Sequence, residues 1–357
     1  MVTVVIPVHN GGHHLRQCIE SLARQDAVAG DFDLVVLDNC STDGALEHLC
    51  ILPDRIGRRV IRSERFLPIE ANWSRIRDLE NVGEFITILG HDDTFDPPFL
   101  RMANQTLRSE PDVRLLLTHF RLIDQDSQLI RPCRPMAERE SVDQFLAGRL
   151  AVIRDSFGTG YVARFDDYRA AGGIPPYSKL LYADDVLWLT LARPAGIRIL
   201  KDFCFSYRLH TASASQTQTV DEMLAAVSQY LSFVEELAAR DPHVRRVYES
   251  YGPGYVWSLV DAWMYGETVR ATAADRIARP DVLNAWSAVY KRVLAFAGDD
   301  HAVFEKSSNL SFALWANHSR LRRRLWRRRE SRVILRALFR ATFRPPTTDL
   351  PQRPSRP

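Results

Sequence analysis

Lysine is scarce: Lys179, Lys201, Lys291 and Lys306 are the only four among 47 basic side chains in 357 residues. Positive charge is therefore almost all arginine, and an arginine at any single position carries less information than usual. The five cysteines, Cys18, Cys40, Cys50, Cys133 and Cys204, form an odd set without a C-x-x-C pair. That spacing excludes a metal knuckle and a disulfide framework and points to a reducing compartment. No stretch approaches the roughly 18 consecutive apolar residues of a spanning helix. The start, Met1-Val2-Thr3-Val4-Val5-Ile6-Pro7, lacks the basic region and the apolar length of a signal peptide. A cytoplasmic protein is expected. With 17 glycines and 19 prolines, collagen-like and wholly disordered readings also fail.

What is present is chain enough for one large domain or two ordinary ones, 46% hydrophobic and 25% charged. The charge is uneven. Residues 320–357 hold 13 arginines against Glu330 and Asp349, a net of +11, which leaves −8 on residues 1–319 of a chain at +3 overall. Such a tail asks for an anionic partner, a membrane surface or a nucleic acid.

Residues 2–8 are an apolar, β-branched run, the pattern of a strand buried on both faces. His9-Asn10-Gly11-Gly12 breaks it, and Leu15, Cys18, Ile19 and Leu22 follow at helical spacing. Further strands are predicted over 32–37, 59–62, 85–89, 114–123 and 197–207, and helices over about 12–25, 70–80 and 97–109 and from 186 to 192. Residues 157–173 read only as a glycine-punctuated stretch. This alternation is that of an α/β fold with a mostly parallel sheet flanked by helices. From Asp221 onward Met223, Leu224, Val227, Tyr230 and Leu231 repeat at helical spacing, with breaks expected at Asp241-Pro242, Gly252-Pro253-Gly254 and Arg279-Pro280. Three strands in succession release polar residues at their carboxyl ends: Asn10, Asp38, then Asp92 with Asp93. In open α/β sheets that edge is where ligands bind.

The motifs Val4-Val5-Ile6-Pro7-Val8-His9-Asn10-Gly11, Leu37-Asp38-Asn39-Cys40-Ser41-Thr42-Asp43-Gly44, Asn72-Trp73, His91-Asp92-Asp93, Gly172-Gly173, Asp184-Asp185 and Tyr207-Arg208-Leu209-His210 stand in this order. Together they resemble the family 2 inverting glycosyltransferases, over about residues 1–215. The resemblance implies a GT-A domain at 1–215. Beyond it the sequence divides into a helical region at 216–319, a basic amphipathic helix at 320–344 and a Pro-rich segment at 345–357 with the composition of disorder.

The resemblance also implies roles. Asp38 would accept from a nucleobase imide N–H, with Pro7, Asn10 and Asp92 lining the nucleotide pocket. Asp93, joined by His210, would bind Mn²⁺ or Mg²⁺. Asp185 would be the general base, with Asp184, Gly173 and His91 in acceptor-side or supporting positions. Each has a plainer reading. Asp38 suits an Asx turn, Asp92 and Asp93 a solvated turn, and Asp184 and Asp185 the positive end of a helix dipole. His210 suits a surface linker, and Trp73 a core packed beside an Asn cap. His91 stands where the commonest family pattern has an acid, so it touches ribose, ligates the ion or is a spectator.

The expected activity is metal-dependent, inverting transfer of a sugar from a nucleoside diphosphate, a UDP-sugar first, to a glycan or lipid-linked acceptor, as in bacterial surface polysaccharide synthesis. Residues 320–344 would meet an anionic membrane surface. The Gln-x-x-Arg-Trp motif of processive membrane synthases is absent, so transfer of one or a few sugars is expected. The competing classes are a nucleic-acid binder led by the arginine tail, against which the −8 body counts, a sugar nucleotidyltransferase, and a degenerate scaffold.

Overall fold

The computed structural model describes residues 1–27, 30–193, 195–209 and 219–273. The apolar run at the start is strand β1 (Val2–Val8), with every residue buried. Helix α1 (Gly12–Ala23) lays Leu15, Cys18, Ile19 and Leu22 inward, as their spacing requires. β2 (Phe32–Asp38) follows, then a 3₁₀ turn (Ala45–Ile51) and the exposed edge strand β3 (Gly57–Val60). α2 (Ile69–Ser74) runs into a 3₁₀ turn (Arg75–Asp78), where one helix over 70–80 was expected. β4 (Phe85–Ile88), the two-residue β5 (Thr94–Phe95), α3 (Phe99–Ser109), β6 (Leu115–Ile123), β7 (Leu129–Pro132) and β8 (Arg139–Glu140) come next. After them stand α4 (Val142–Leu150), β9 (Val162–Arg164), α5 (Phe165–Ala170), α6 (Ala183–Ala192), β10 (Ile197–Arg208), α7 (Val220–Arg240) and α8 (Pro242–Ala273).

The sheet order is β3-β2-β1-β4-β9-β6-β10-β5, with β7 on β6 and β8 on β10. β1 pairs parallel with β2 and β4, β2 with β3, and β6 with β10. β9 lies antiparallel between β4 and β6. Two antiparallel neighbours restore the original direction, so β1, β2, β4, β6 and β10 all deliver their carboxyl ends to one edge. β9 comes from the stretch read only as glycine-punctuated: three residues have no period of their own, and pairing on both sides makes them a strand.

Helix α4 was not foreseen, although Ser141 and Gln144 form a capping box at its start. The same device, Thr219 with Glu222, opens α7. Asp241 ends α7, and its Oδ1 accepts from the His243 amide at 2.8 Å at the start of α8. The break expected at 252–254 is not one, since α8 continues through Pro253. The first compact unit runs from Met1 to Tyr248 and the second begins at Glu249. The boundary expected at 215–216 falls in 210–218, outside the described residues, as do the basic segment 320–344 and the Pro-rich end. Among the described residues no helix is long and apolar enough to cross a membrane.

Candidate active site

At the carboxyl ends of β1 and β2 two loops are sewn together. The Asn10 amide donates to Ser41 Oγ at 3.0 Å, Asn10 Oδ1 accepts from the Thr42 amide at 2.8 Å, and the Gly12 amide donates to Asp43 Oδ2 at 2.8 Å. Asn10 makes these bonds from a left-handed backbone, φ 52°, a conformation that asparagine tolerates better than most. Pro7, buried on β1, is in register with Leu37. Asp38 is fully buried, and its two oxygens differ. Oδ1 accepts from the Ser41 amide at 3.0 Å, which is the Asx turn. Oδ2 has no hydrogen-bond donor, although Arg62 Nε lies 3.3 Å away as an ion pair. The turn and ligand readings of Asp38 are thus compatible: one oxygen builds the loop and the other is an open acceptor. Asn39 fixes the facing segment through Leu67, donating to its carbonyl at 2.9 Å and accepting from its amide at 2.8 Å. There Phe66, 60% exposed, stands edge-on to His9. Asn72 receives a 2.9 Å hydrogen bond from Arg75.

After β4, Gly90 allows a close approach. A Cβ at that position would sit 2.7 Å from both Asp92 Oδ1 and Asp93 Oδ2, so the two carboxylates converge on the space it leaves. Asp93 is buried, and its oxygens accept from Thr159 Oγ1 at 2.7 Å and from the Arg208 amide at 2.9 Å. Burial, and then the Asp92 charge, push its carboxyl well above the usual range. Among the described residues no three His, Cys, Asp or Glu side chains form a metal cage, and His210 lies outside those residues. Two converging carboxylates nevertheless fit Mg²⁺ or Mn²⁺, hard ions that take one or two carboxylates and complete their shell with water and phosphate oxygens. His91 packs with Cδ2 3.3 Å from the position a Gly11 Cβ would take.

The acidic pair opens α6, and its members have unlike surroundings. Asp185, 1% exposed, is gripped by Arg149 of α4: Nε donates to Oδ1 at 2.9 Å and Nη2 to Oδ2 at 2.8 Å. Both of its oxygens are thus occupied by one guanidinium. This geometry does not suit the expectation that Asp185 is the base. Asp184 is partly exposed, and burial followed by the neighbouring Asp185 charge pushes its carboxyl up to about 7.

Residues 157–159 join this pair to Asp93. The Phe157 carbonyl accepts from Trp188 Nε1 of α6 at 2.9 Å, a Cβ on Gly158 would lie between Trp73 and Asp184, and Thr159 binds Asp93. Phe157 also stacks on Tyr207, with ring centroids 3.7 Å apart. The Tyr207 phenol is pushed up by burial and then by Asp93, Asp92 and Asp184, all within electrostatic reach of it.

The sequence reading assigned nothing to Arg149, Thr159 or Arg208. The capping box of Ser141 and Gln144 could have found the helix that carries the first, but it does not mark the residue itself. Gly173 occupies a turn after α5 at φ 72°, where a Cβ would lie 3.1 Å from Arg77 Cβ and 3.3 Å from the Tyr168 ring. Its environment explains a turn, not a contact with the acids.

Residues 3–147 match the family model described as Glycosyl transferase family 2. The poly(ribitol-phosphate) β-N-acetylglucosaminyltransferase TarS of Staphylococcus aureus is 26% identical over 101 residues, 28% of this chain and 18% of that protein. A PGL/p-HBAD biosynthesis glycosyltransferase of Mycobacterium tuberculosis is 34% identical over 95 residues, 26% of this chain and 36% of that protein. The matched segment thus spans well under half the length of these curated relatives. In three dimensions, a crystal structure of S. aureus TarS in complex with UDP-GlcNAc superposes with a TM-score of 0.52 at 15% identity, covering 81% of this chain and 90% of that one. That likeness shows a shared GT-A fold.

Proposed function

We propose that this chain, whose residues 3–147 belong to glycosyl transferase family 2, transfers a sugar from a nucleoside diphosphate to an acceptor hydroxyl with inversion at the anomeric carbon. The observation that carries this reading is the convergence of Asp92 and Asp93 on the space left at Gly90, at the sheet edge where Asp38 keeps one buried oxygen without a hydrogen-bond donor. That oxygen would accept from a nucleobase imide N–H, and uracil supplies one. Asp92 and Asp93 would hold a Mg²⁺ or Mn²⁺ ion, whose chemistry is to neutralise the charge that develops on a departing diphosphate. Asp184 is the assigned base: it is partly exposed, near neutral in affinity for protons, and set to accept the proton of an incoming hydroxyl. Asp185 remains an ion pair. His210 is kept as a further ligand on sequence grounds alone.

The acceptor is proposed to be a glycan or a lipid-linked saccharide of a bacterial surface polymer, and residues 320–344, within the segment 320–357 at +11, to hold the enzyme against an anionic membrane surface. A donor panel with Mn²⁺ or Mg²⁺, scored for nucleoside diphosphate release, tests the first part. Wild type is expected to turn over one sugar nucleotide, and Asp93→Ala to lose that activity. Turnover of none would end the reading. Co-sedimentation with anionic vesicles tests the second: removal of residues 320–357 should abolish pelleting.

A further inference from the structure

The first turn of α6 is held from two sides by groups that the proposed chemistry does not consume. On one side is Arg149, in the last turn of α4. Its guanidinium meets both oxygens of Asp185 and also donates from Nη1 to the Arg154 carbonyl at 2.9 Å, so its own segment fixes its orientation. On the other side Tyr182, at the N-cap of α6, stacks on Tyr230 of α7 with centroids 5.1 Å apart and planes 13° apart. Just ahead of α6, Lys179, Leu180 and Tyr182 take left-handed backbone conformations, φ 55°, 57° and 61°. Three such residues within four, none of them glycine, persist only where the surroundings over-determine them.

We propose that Arg149 is a positioning residue: by clamping Asp185 it divides two adjacent acids into a fixed structural anion and an unclamped Asp184 that takes the acceptor's proton. This rests on the reading of Asp184 as the base. The physical ground is simple. Two neighbouring carboxylates at one helix end repel, and a cation placed evenly between them would lower the basicity of both. A two-point grip on one spends the cation's hydrogen bonds there and leaves the other basic. The titratable and charged groups within electrostatic reach of Asp184 are Asp185 on its own helix start, Arg149 from α4, Tyr207 from β10 and Tyr230 from α7.

The test compares wild type with Arg149→Gln, Arg149→Lys, Asp185→Asn and the double variant Arg149→Gln/Asp185→Asn. Two readouts are taken. The first is the Asp184 titration in ligand-free protein, followed by carboxyl ¹³C NMR and assigned by its loss in Asp184→Asn. The second is the pH profile of turnover with the donor found above.

Arg149→Gln should move the Asp184 midpoint upward by about one pH unit and carry the acid limb of the rate profile with it, with donor KM unchanged. Asp185→Asn should move the midpoint down, and the double variant should titrate between Asp185→Asn and Arg149→Gln, because Arg149 also lowers Asp184 directly. Arg149→Lys should restore the midpoint but not full kcat, since a point charge lacks the fork. A midpoint in Arg149→Gln equal to wild type, or a double variant that titrates like Arg149→Gln, overturns the proposal. If Arg149→Gln does not fold, a midpoint unmoved in Asp185→Asn overturns it alone. Wild type that transfers no sugar refutes the proposed function while the NMR arm still decides for Arg149. Sugar transfer that survives Asp184→Asn refutes the base assignment and Arg149's role with it.

Discussion

The backbone amide of Arg208 donates to Asp93 Oδ1 at 2.9 Å across 115 positions of chain, joining the end of β10 to the loop after β4. The side chain of the same residue, 1% exposed, extends the clasp. Nε donates to the Asp92 carbonyl at 2.7 Å, Nη1 to the Asp124 carbonyl and Ser127 Oγ at 2.9 Å each, and Nη2 to Gln17 Oε1 at 2.9 Å. One guanidinium thus satisfies acceptors from α1, the β4 loop and the β6–β7 turn. Replacing it by Met would fill the volume and take the guanidinium's donors from all of them, with the Asp124 carbonyl keeping only the Ser127 amide at 3.1 Å and Gln17 Oε1 only Ser127 Oγ at 3.4 Å. Arg208→Met should therefore cost about 3 kcal/mol or more, read as a lower urea midpoint at unchanged slope. A loss below about 1 kcal/mol would show that water replaces the clasp.

Gly160 follows Thr159, the donor to Asp93, and sits at φ 82° with its amide bonded to the Ile88 carbonyl at 3.1 Å. A Cβ there would lie 2.5 Å from the Phe205 ring. Both the backbone conformation and the space exclude a side chain. Gly160→Ala should destabilise by about 2 kcal/mol and shift Thr159 off Asp93. The check is a thermal melt alongside donor affinity, with both expected to fall together.

The strands that carry the site were legible because each has its own pattern. β1, β2, β4 and β6 are largely apolar runs, β10 has apolar stretches on either side of Lys201-Asp202, and the acids at the strand ends could be read off as loop residues of one sheet edge. β5, β7, β8 and β9 have two to four residues each, too few for a period, and exist through their partners. The division between Asp184 and Asp185 was not legible at all. It is made by an arginine 36 positions earlier, and in a chain so rich in arginine no local pattern singles that one out. The resemblance implied Asp185 as the base with Asp184 in support, and it is the Arg149 ion pair that argues for the reverse.

Asp38 Oδ2 is a buried acceptor without a hydrogen-bond donor, held near Arg62. A base that donates to it forms a charge-assisted hydrogen bond, worth roughly 1.5–3 kcal/mol. Calorimetric titration of UDP and other nucleoside diphosphates should show tighter binding of those with an imide N–H. Asp38→Ala should weaken that binding by at least about tenfold and erase the preference among bases. Equal affinities in wild type would remove Asp38 from base recognition.

Asp184 makes a separate prediction about stability. Its carboxyl is raised to about 7 in the folded protein, against about 3.9 for an unperturbed aspartate. Between those values the folded state binds more protons than the unfolded state, so stability declines as pH rises. The contribution is complete below the unfolded value and is lost as pH passes the folded one. Asp184→Asn removes this slope while keeping size and polarity. At pH 4 the variant should match wild type, and at pH 8 it should be more stable, by about 2 kcal/mol once partial exposure weakens the penalty. Melting temperatures at the two pH values check this. Turnover should move the opposite way: a base worth 10²–10⁴-fold is gone, so the more stable protein at pH 8 should be slower by about 10³ in kcat. Asp185→Asn should show neither the same gain in stability nor so large a loss in rate, because its carboxylate is already neutralised by Arg149. A variant at position 184 that loses stability at pH 8, with its rate intact, would mean that its carboxylate is a structural anion and that the proton goes elsewhere.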